Sequence, residues 1–203
     1  MPILEDAKRA GERITGWGRP KRRDLPDFTR SRKPHLFRFE DDGETPNNPH
    51  WPMVLYRSPV ALTSGCDPAA ILEDLFAKNG WTESWRDGIY DFLHFHTHTH
   101  EVLGIARGAA RVQFGGAKGR MLDLKAGDVV VQPAGTGHRR LKASRDFLVV
   151  GAYPATSGKY DEPKPSQIDH AKAVASIAKV RLPRADPVYG KDGPLLNVWK
   201  KHR

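Results

Sequence analysis

The chain has 203 residues, with 33 Lys and Arg against 24 Asp and Glu, one cysteine and 38% hydrophobic side chains. That is the composition of a soluble globular domain large enough to bury a core without disulfides. It excludes a disulfide scaffold, a cysteine-ligated zinc finger and a membrane helix, because no apolar run nears the ~20 residues a span requires. The lone Cys66 and a charged Met1–Gly11 stretch with no secretory apolar segment imply a reducing, cytoplasmic setting.

The net charge of +9 is uneven: residues 1–40 and 159–203 carry +5 each, and residues 41–158 carry −1. Basic clusters at Arg19–Arg23 and Arg30–Lys33 have the charge to touch phosphates. Such runs are ordinarily solvated, and the prolines spread over 20–49 leave no helix-turn-helix, so nucleic acid is not an expected partner.

In chain order, residues 1–50 read as an irregular N-terminal arm broken by Pro20, Pro26, Pro34, Pro46 and Pro49, with strand-like alternation at His35–Phe39. A barrel domain is expected over 51–158, beginning with a strand at Met53–Tyr56. An inserted helix is predicted over Asp67–Asn79. Asp67 is its cap, Pro68 occupies the first turn, and Ile71, Leu72, Leu75 and Phe76 form its apolar face. Gly80 provides the left-handed exit, and Trp81 and Trp85 read as a lid over a sheet. Short β-prone runs follow: Ile89–His96, Val102–Ala106, Ala110–Phe114, Met121–Leu124, Val129–Gln132 and Phe147–Ala152. Strands this close together, joined by glycine-rich turns at Gly115–Gly119 and Ala126–Asp128, predict an antiparallel barrel or sandwich. Residues 159–203 read as a helix and tail packing on the barrel. Ser166 and Asp169 form a capping-box start to a helix reaching Val180, and Leu195, Leu196, Val198 and Trp199 fold back.

The histidines are clustered. Four of them, His94, His96, His98 and His100, fall in seven residues just before Glu101, and His138 stands in a Pro133–His138 turn. Alternate strand residues share a face, so two of the first four point together. Two imidazoles, a carboxylate and a third imidazole from elsewhere suit a first-row divalent metal. A polar edge strand is the competing reading of the run by itself.

Two spacings go further. Gly88 to Gly108 reads G-x5-H-x-H-x4-E-x6-G, and Gly127 to His138 reads G-x5-P-x-G-x2-H. In this order, the pair resembles the two motifs of the cupin superfamily. The chain is most similar to the YjlB-type cupins, through Pro46–Asn48, His100–Gly104, Pro133–His138 and Val150–Pro154. The resemblance implies an all-β core, a cupin double-stranded β-helix or jelly-roll barrel, with flanking N- and C-terminal arms and two peripheral helices. It also implies that His94, His96, Glu101 and His138 hold one divalent transition metal, Fe, Mn, Ni or Zn. The family's interval to the carboxylate favours His94 and His96 over the pairs formed with His98 or His100. His98 is then expected in solvent, and His100 on a backbone hydrogen bond. Lys142 stands where the family's second motif often has Asn, so no substrate-binding role carries over there.

Such a site keeps open coordination positions. The resemblance therefore implies a small-molecule metalloenzyme with dioxygenase-type chemistry on iron, or isomerase, decarboxylase or hydrolase chemistry on another metal. A non-catalytic ligand-binding or sensing module is the alternative. The expected partner is a small molecule, with an organic acid as one class, and Arg107, Arg111 and Arg139 are candidate carboxylate binders. A homodimer exchanging the His35–Phe39 strand is compatible with the family.

Overall fold

A computed structural model describes residues 2–62, 65–157 and 160–201. The expected barrel-to-tail boundary at 158/159 lies outside the described residues. Strands β1 (His35–Phe37), β2 (Met53–Tyr56), β7 (Val129–Gln132), β4 (Glu101–Arg107), β9 (Leu148–Pro154) and β3 (Trp81–Asp87) form one antiparallel sheet, in the order β1-β2-β7-β4-β9-β3. Strands β6 (Arg120–Lys125), β5 (Ala109–Phe114) and β8 (His138–Ala143) form a second sheet. The two sheets make the jelly-roll core.

The central strands are apolar on both faces, and each face has its own partner. Met53, Leu55, Leu103, Ile105, Val130 and Val149 point inward to meet Val112, Phe114 and Leu124 of the smaller sheet. The alternating residues Val54, Tyr56, Val102, Val131 and Val150 point outward, under helix α2 (Pro68–Lys78) and the C-terminal segment. This double burial explains why β4, β7 and β9 read as continuous hydrophobic runs. Gly104 lets α2 lie close, since a Cβ there would sit 2.9 Å from Leu72 and Phe76. The tail is pinned by Asp186, which accepts from Tyr56 Oη at 2.6 Å and from three backbone amides. Trp199 of α4 (Pro194–Lys200) is buried and donates to the Pro52 carbonyl at 2.9 Å.

Four local expectations need correction. The arm 1–50 is not irregular throughout: Pro2–Thr15 is helix α1, and Arg22–Phe28 is a 3-10 turn. Apolar periodicity hides α1 because its Ile3, Leu4 and Ile14 are exposed while its charges face the barrel. Ile89–His96 is not a strand. It bends at Asp91 and Phe92 and retains one bridge, His94 to His138. Trp81–Asp87 is itself the strand β3 rather than a lid, with a bulge where Glu83 takes φ 51°. The later helix, α3 (His170–Ile177), starts at Asp169 and not at Ser166. Gln167 Oε1 accepts from Lys164 N and closes a separate 3-10 turn over Pro165–Gln167.

A buried charge node ties α1, α2 and β3 together. The Arg86 side chain is 0% exposed and binds Glu12 at 2.7 Å, Asp67 at 2.8 Å and Glu73 at 2.9 Å. Arg9 and Arg19 also reach Glu73, at 2.6 and 3.1 Å. Burial pushes the Glu73 carboxyl up, but Arg86, Arg9 and Arg19 hold it below its ordinary value. Its contribution to stability is therefore complete at neutral pH and is lost as acid protonates it below the usual carboxylate range. Removing Arg86 takes the one fully buried cation from three buried carboxylates and leaves them facing one another, with Glu12 the least compensated. Arg86→Leu is expected to cost about 3–5 kcal/mol in denaturant unfolding at pH 7, and less in acid, where those carboxylates are protonated.

Candidate metal centre

The two motifs meet through their backbones. His94 N donates to His138 O at 3.3 Å, His138 N donates back at 2.9 Å, and Gly135 N donates to His96 O at 2.8 Å. Gly135 lies in the left-handed region at φ 89°, and a Cβ there would lie 2.5 Å from the Asn47 carbonyl. The turn before His138 therefore requires glycine. Asn47 supports the same turn, accepting from Gly137 N at 3.3 Å and donating to Gly115 O at 3.2 Å.

This backbone pairing gathers the side chains. The candidate ligand nitrogens of His94, His96 and His138 all lie within 4.8 Å of one another, and all three residues are buried. Glu101 opens β4, and its Oε2 is 3.2 Å from His96 Nε2 and 3.4 Å from His138 Nε2. Each imidazole is oriented through its other nitrogen. Nδ1 of His94 faces the Phe92 carbonyl at 3.2 Å, Nδ1 of His138 faces Thr136 O at 3.2 Å, and Nδ1 of His96 contacts Asp161 O. A ring that donates from Nδ1 presents the Nε2 lone pair. His96 Nε2 is a buried polar atom with no hydrogen-bond partner. Three such nitrogens, one of them orphaned, beside a carboxylate oxygen fit a divalent transition metal.

The electrostatics suit the same group. Burial pushes His94 and His138 down, and the neighbouring imidazoles push them further. Neutral rings of this kind are the coordinating form. Burial also lowers His96, but the Glu101 carboxylate and the Asp161 carbonyl raise it to about 9, so proton and metal compete for that ring.

The other histidines separate cleanly. His98 is exposed beside Asp161 Oδ2 at 3.3 Å. His100 is buried, accepts at Nδ1 from Ala134 N at 3.0 Å, and contacts the Arg181 carbonyl at 3.0 Å. Burial pulls it down to about 4. The three arginines are committed away from the cluster: Arg107 to Glu5, Arg111 to Asp123 and Arg139 to Gln113. Lys142 stands on β8 opposite Arg111 and is exposed.

A cavity of about 270 Å³ reaches His96, Glu101 and His138, walled by Trp85, Leu103 and Tyr153. His94 stands behind it, edge-on to the Tyr90 ring at 5.2 Å. A larger groove of about 450 Å³ over Asp91 and Asp146 contains none of these histidines. Several participants carry no motif signal. Gln132 donates from Nε2 to Glu101 Oε2 at 3.1 Å. Asp161 clasps Thr97 with its carboxylate. Trp85 donates to Tyr153 Oη at 3.0 Å. Only a polar Gln132 in an otherwise apolar strand hints at its role.

An antiparallel jelly roll that brings these two motifs face to face is a cupin. A curated relative gives the particular family. The chain is 39% identical to the uncharacterized protein YjlB of Bacillus subtilis strain 168 over 170 residues, 84% of this chain and 99% of that one. The chain belongs to the YjlB family. No family model matches it. Solved structures with local similarity include an acireductone dioxygenase from Bacillus anthracis with cadmium in its active centre, at 19% identity and a TM-score of 0.34, covering 44% of this chain and 61% of that one. An oxalate decarboxylase mutant from Bacillus subtilis matches at 25% identity and a TM-score of 0.32, covering 40% and 22%. An 11S globulin from Wrightia tinctoria matches at 13% and 0.35, covering 46% and 29%.

The tryptophan wall depends on one glycine. A Cβ on Gly151 would lie 2.1 Å from the Trp85 ring. Gly151→Ala is expected to displace the indole, break its bond to Tyr153 and cost roughly 1–3 kcal/mol. A shift in tryptophan emission together with a lowered denaturation midpoint would show it.

Proposed function

We propose that this protein is a small-molecule metalloenzyme of the cupin class, holding one divalent transition metal, Fe, Mn, Ni or Zn, through His94, His96, Glu101 and His138. The observation that carries the reading is the convergence of three imidazole nitrogens beside a carboxylate, with His96, Glu101 and His138 lining a cavity and His94 behind it. Each ring there is fixed through Nδ1 to a backbone carbonyl. Bound there, the metal would supply Lewis acidity for isomerase-type chemistry or, as iron, redox chemistry with dioxygen.

The protein's own residues would do the rest. Gln132 holds the Glu101 carboxylate in place. Trp85 and Leu103 exclude water from one wall. Burial and the Glu101 carboxylate raise the Tyr153 hydroxyl, so it stays neutral at neutral pH and can offer a bound ligand a hydrogen bond but not a proton. An organic acid is the less favoured substrate, since Arg107, Arg111 and Arg139 all pair elsewhere. No described helix is long and apolar enough to cross a membrane, and the single cysteine supports a cytoplasmic setting.

The test is elemental analysis of untagged protein purified without added metal, followed by substrate screening with that metal. About one equivalent per chain is expected in the wild type, and His138→Ala should lose at least 90% of it. The variant should still unfold cooperatively, because the barrel core of Val112, Phe114, Val130 and Val149 is apolar. Full metal content in His138→Ala would overturn the ligand set. Metal-free wild type carrying a tight organic ligand would point to a binding module.

A further inference from the structure

The outer part of the cavity is acidic. Asp6 comes to it from α1, Asp87 from the end of β3, and Glu162 from the segment beyond β9. Arg86 is the only arginine or lysine among the described lining residues, and its guanidinium is fully buried against Glu12, Asp67 and Glu73. Neighbouring cations are engaged elsewhere. Lys8 pairs with Asp67, Arg107 with Glu5, Arg140 Nε donates to the Ile89 carbonyl, and Lys164 stands 4.2 Å from the Phe92 ring centre. A carboxylate ligand would thus enter among carboxylates, with no basic side chain but the buried Arg86 among the described lining residues.

The second, independent feature is aromatic. Trp85, Tyr90, Tyr153 and Tyr160 all line the cavity. Tyr153 and Tyr160 stack with centroids 5.1 Å apart and planes 2° apart. Tyr90 and Tyr160 are 44% and 43% exposed, so aromatic surface remains open at the mouth. Burial and the charge of the Glu162 carboxylate together push the Tyr90 hydroxyl up. Ring faces interleaved with carboxylates attract a compact organic cation more than a neutral molecule of the same shape.

We propose that the cavity selects a small organic cation, with its ammonium head among Tyr90, Tyr160, Asp87 and Glu162 and its polar end directed inward to His96, Glu101 and His138. The inner contact rests on the metal-centre reading; the charge selection rests on the walls alone. The volume of about 270 Å³ suits a ligand of simple metabolite size.

The test uses three probes of one shape and different charge: choline, 3,3-dimethyl-1-butanol and 3,3-dimethylbutyrate. Each is titrated by ligand-observed NMR into the full chain, both metal-stripped and loaded with Zn(II). Choline is expected to bind about tenfold tighter than the butanol in both forms, and the butyrate weakest of the three in the stripped form. Glu162→Gln and Tyr160→Leu should each cut the choline advantage several-fold without changing thermal unfolding. Equal affinity for choline and the butanol, a preference for the butyrate in the stripped form, or no binding of any probe overturns the proposal. A choline advantage in protein that fails to take up Zn(II) supports the cation site and counts against the metal reading. Zn(II) uptake without charge selection does the reverse.

Discussion

The centre depends on a two-bond backbone bridge between His94 and His138. Residues paired this way in an antiparallel ladder put their side chains on the same side. The bridge therefore brings two imidazoles to a centroid separation of 4.1 Å before any metal is considered. The same rule places Gln132 against Glu101, which are register partners between β7 and β4. The convergence of functional groups is thus a consequence of register, and a slip of one residue would turn both pairs to opposite faces.

Segments outside the barrel complete what register begins. Asn47 and Asn48, from the arm before β2, bond to the turns at Gly115, Gly137 and Ala134. The chain beyond β9 returns to give the Asp161 carbonyl to His96, along with Tyr160 and Glu162 for the cavity mouth. The barrel carries His94, Glu101 and His138, and both flanks contribute contacts that orient the turn before His138, the His96 ring and the cavity mouth. A barrel cut free of them would keep the apolar core between its sheets, while exposing the outer face that Val188, Leu195 and Trp199 cover and losing the support of His96 and of the turn before His138.

The gathering of His94, His96 and His138 beside Glu101 was legible through the resemblance to the cupin motifs, which carries both residue type and interval. The strands β2, β4, β5, β7 and β9 were legible because burial enforces composition, and the largely exposed β6 because glycine-rich turns bracket it. Positions set by tertiary contact were not. Ile89–His96 has strand-like residues, yet the chain bends at Phe92 so that its carbonyl faces His94 Nδ1. Trp81–Asp87 runs Thr82, Glu83 and Ser84 together, and its bulge at Glu83 breaks the period. Helix α1 follows neither rule, since what it buries is charge. Tyr160, Asp161 and Glu162 stand in irregular backbone, where no periodicity reports that they face a cavity.

That inversion in α1 affects how the molecule comes apart. An ordinary amphipathic helix is held by apolar contact that salt does not screen. This helix leaves Ile3, Leu4 and Ile14 in water and is moored by Glu5, Lys8, Arg9 and Glu12. Its half-exposed pairs, Lys8 with Asp67 and Arg107 with Glu5, weaken with ionic strength, and acid loosens the buried ones, while the barrel's apolar core responds to neither. Amide hydrogens of α1 should therefore exchange early and together, as a cooperative unit separate from β4, β7 and β9, whose exchange waits for global unfolding. Because Asp6 rides on that unit, the cavity would lose one acidic wall whenever the helix lifts, without loss of the barrel beneath it.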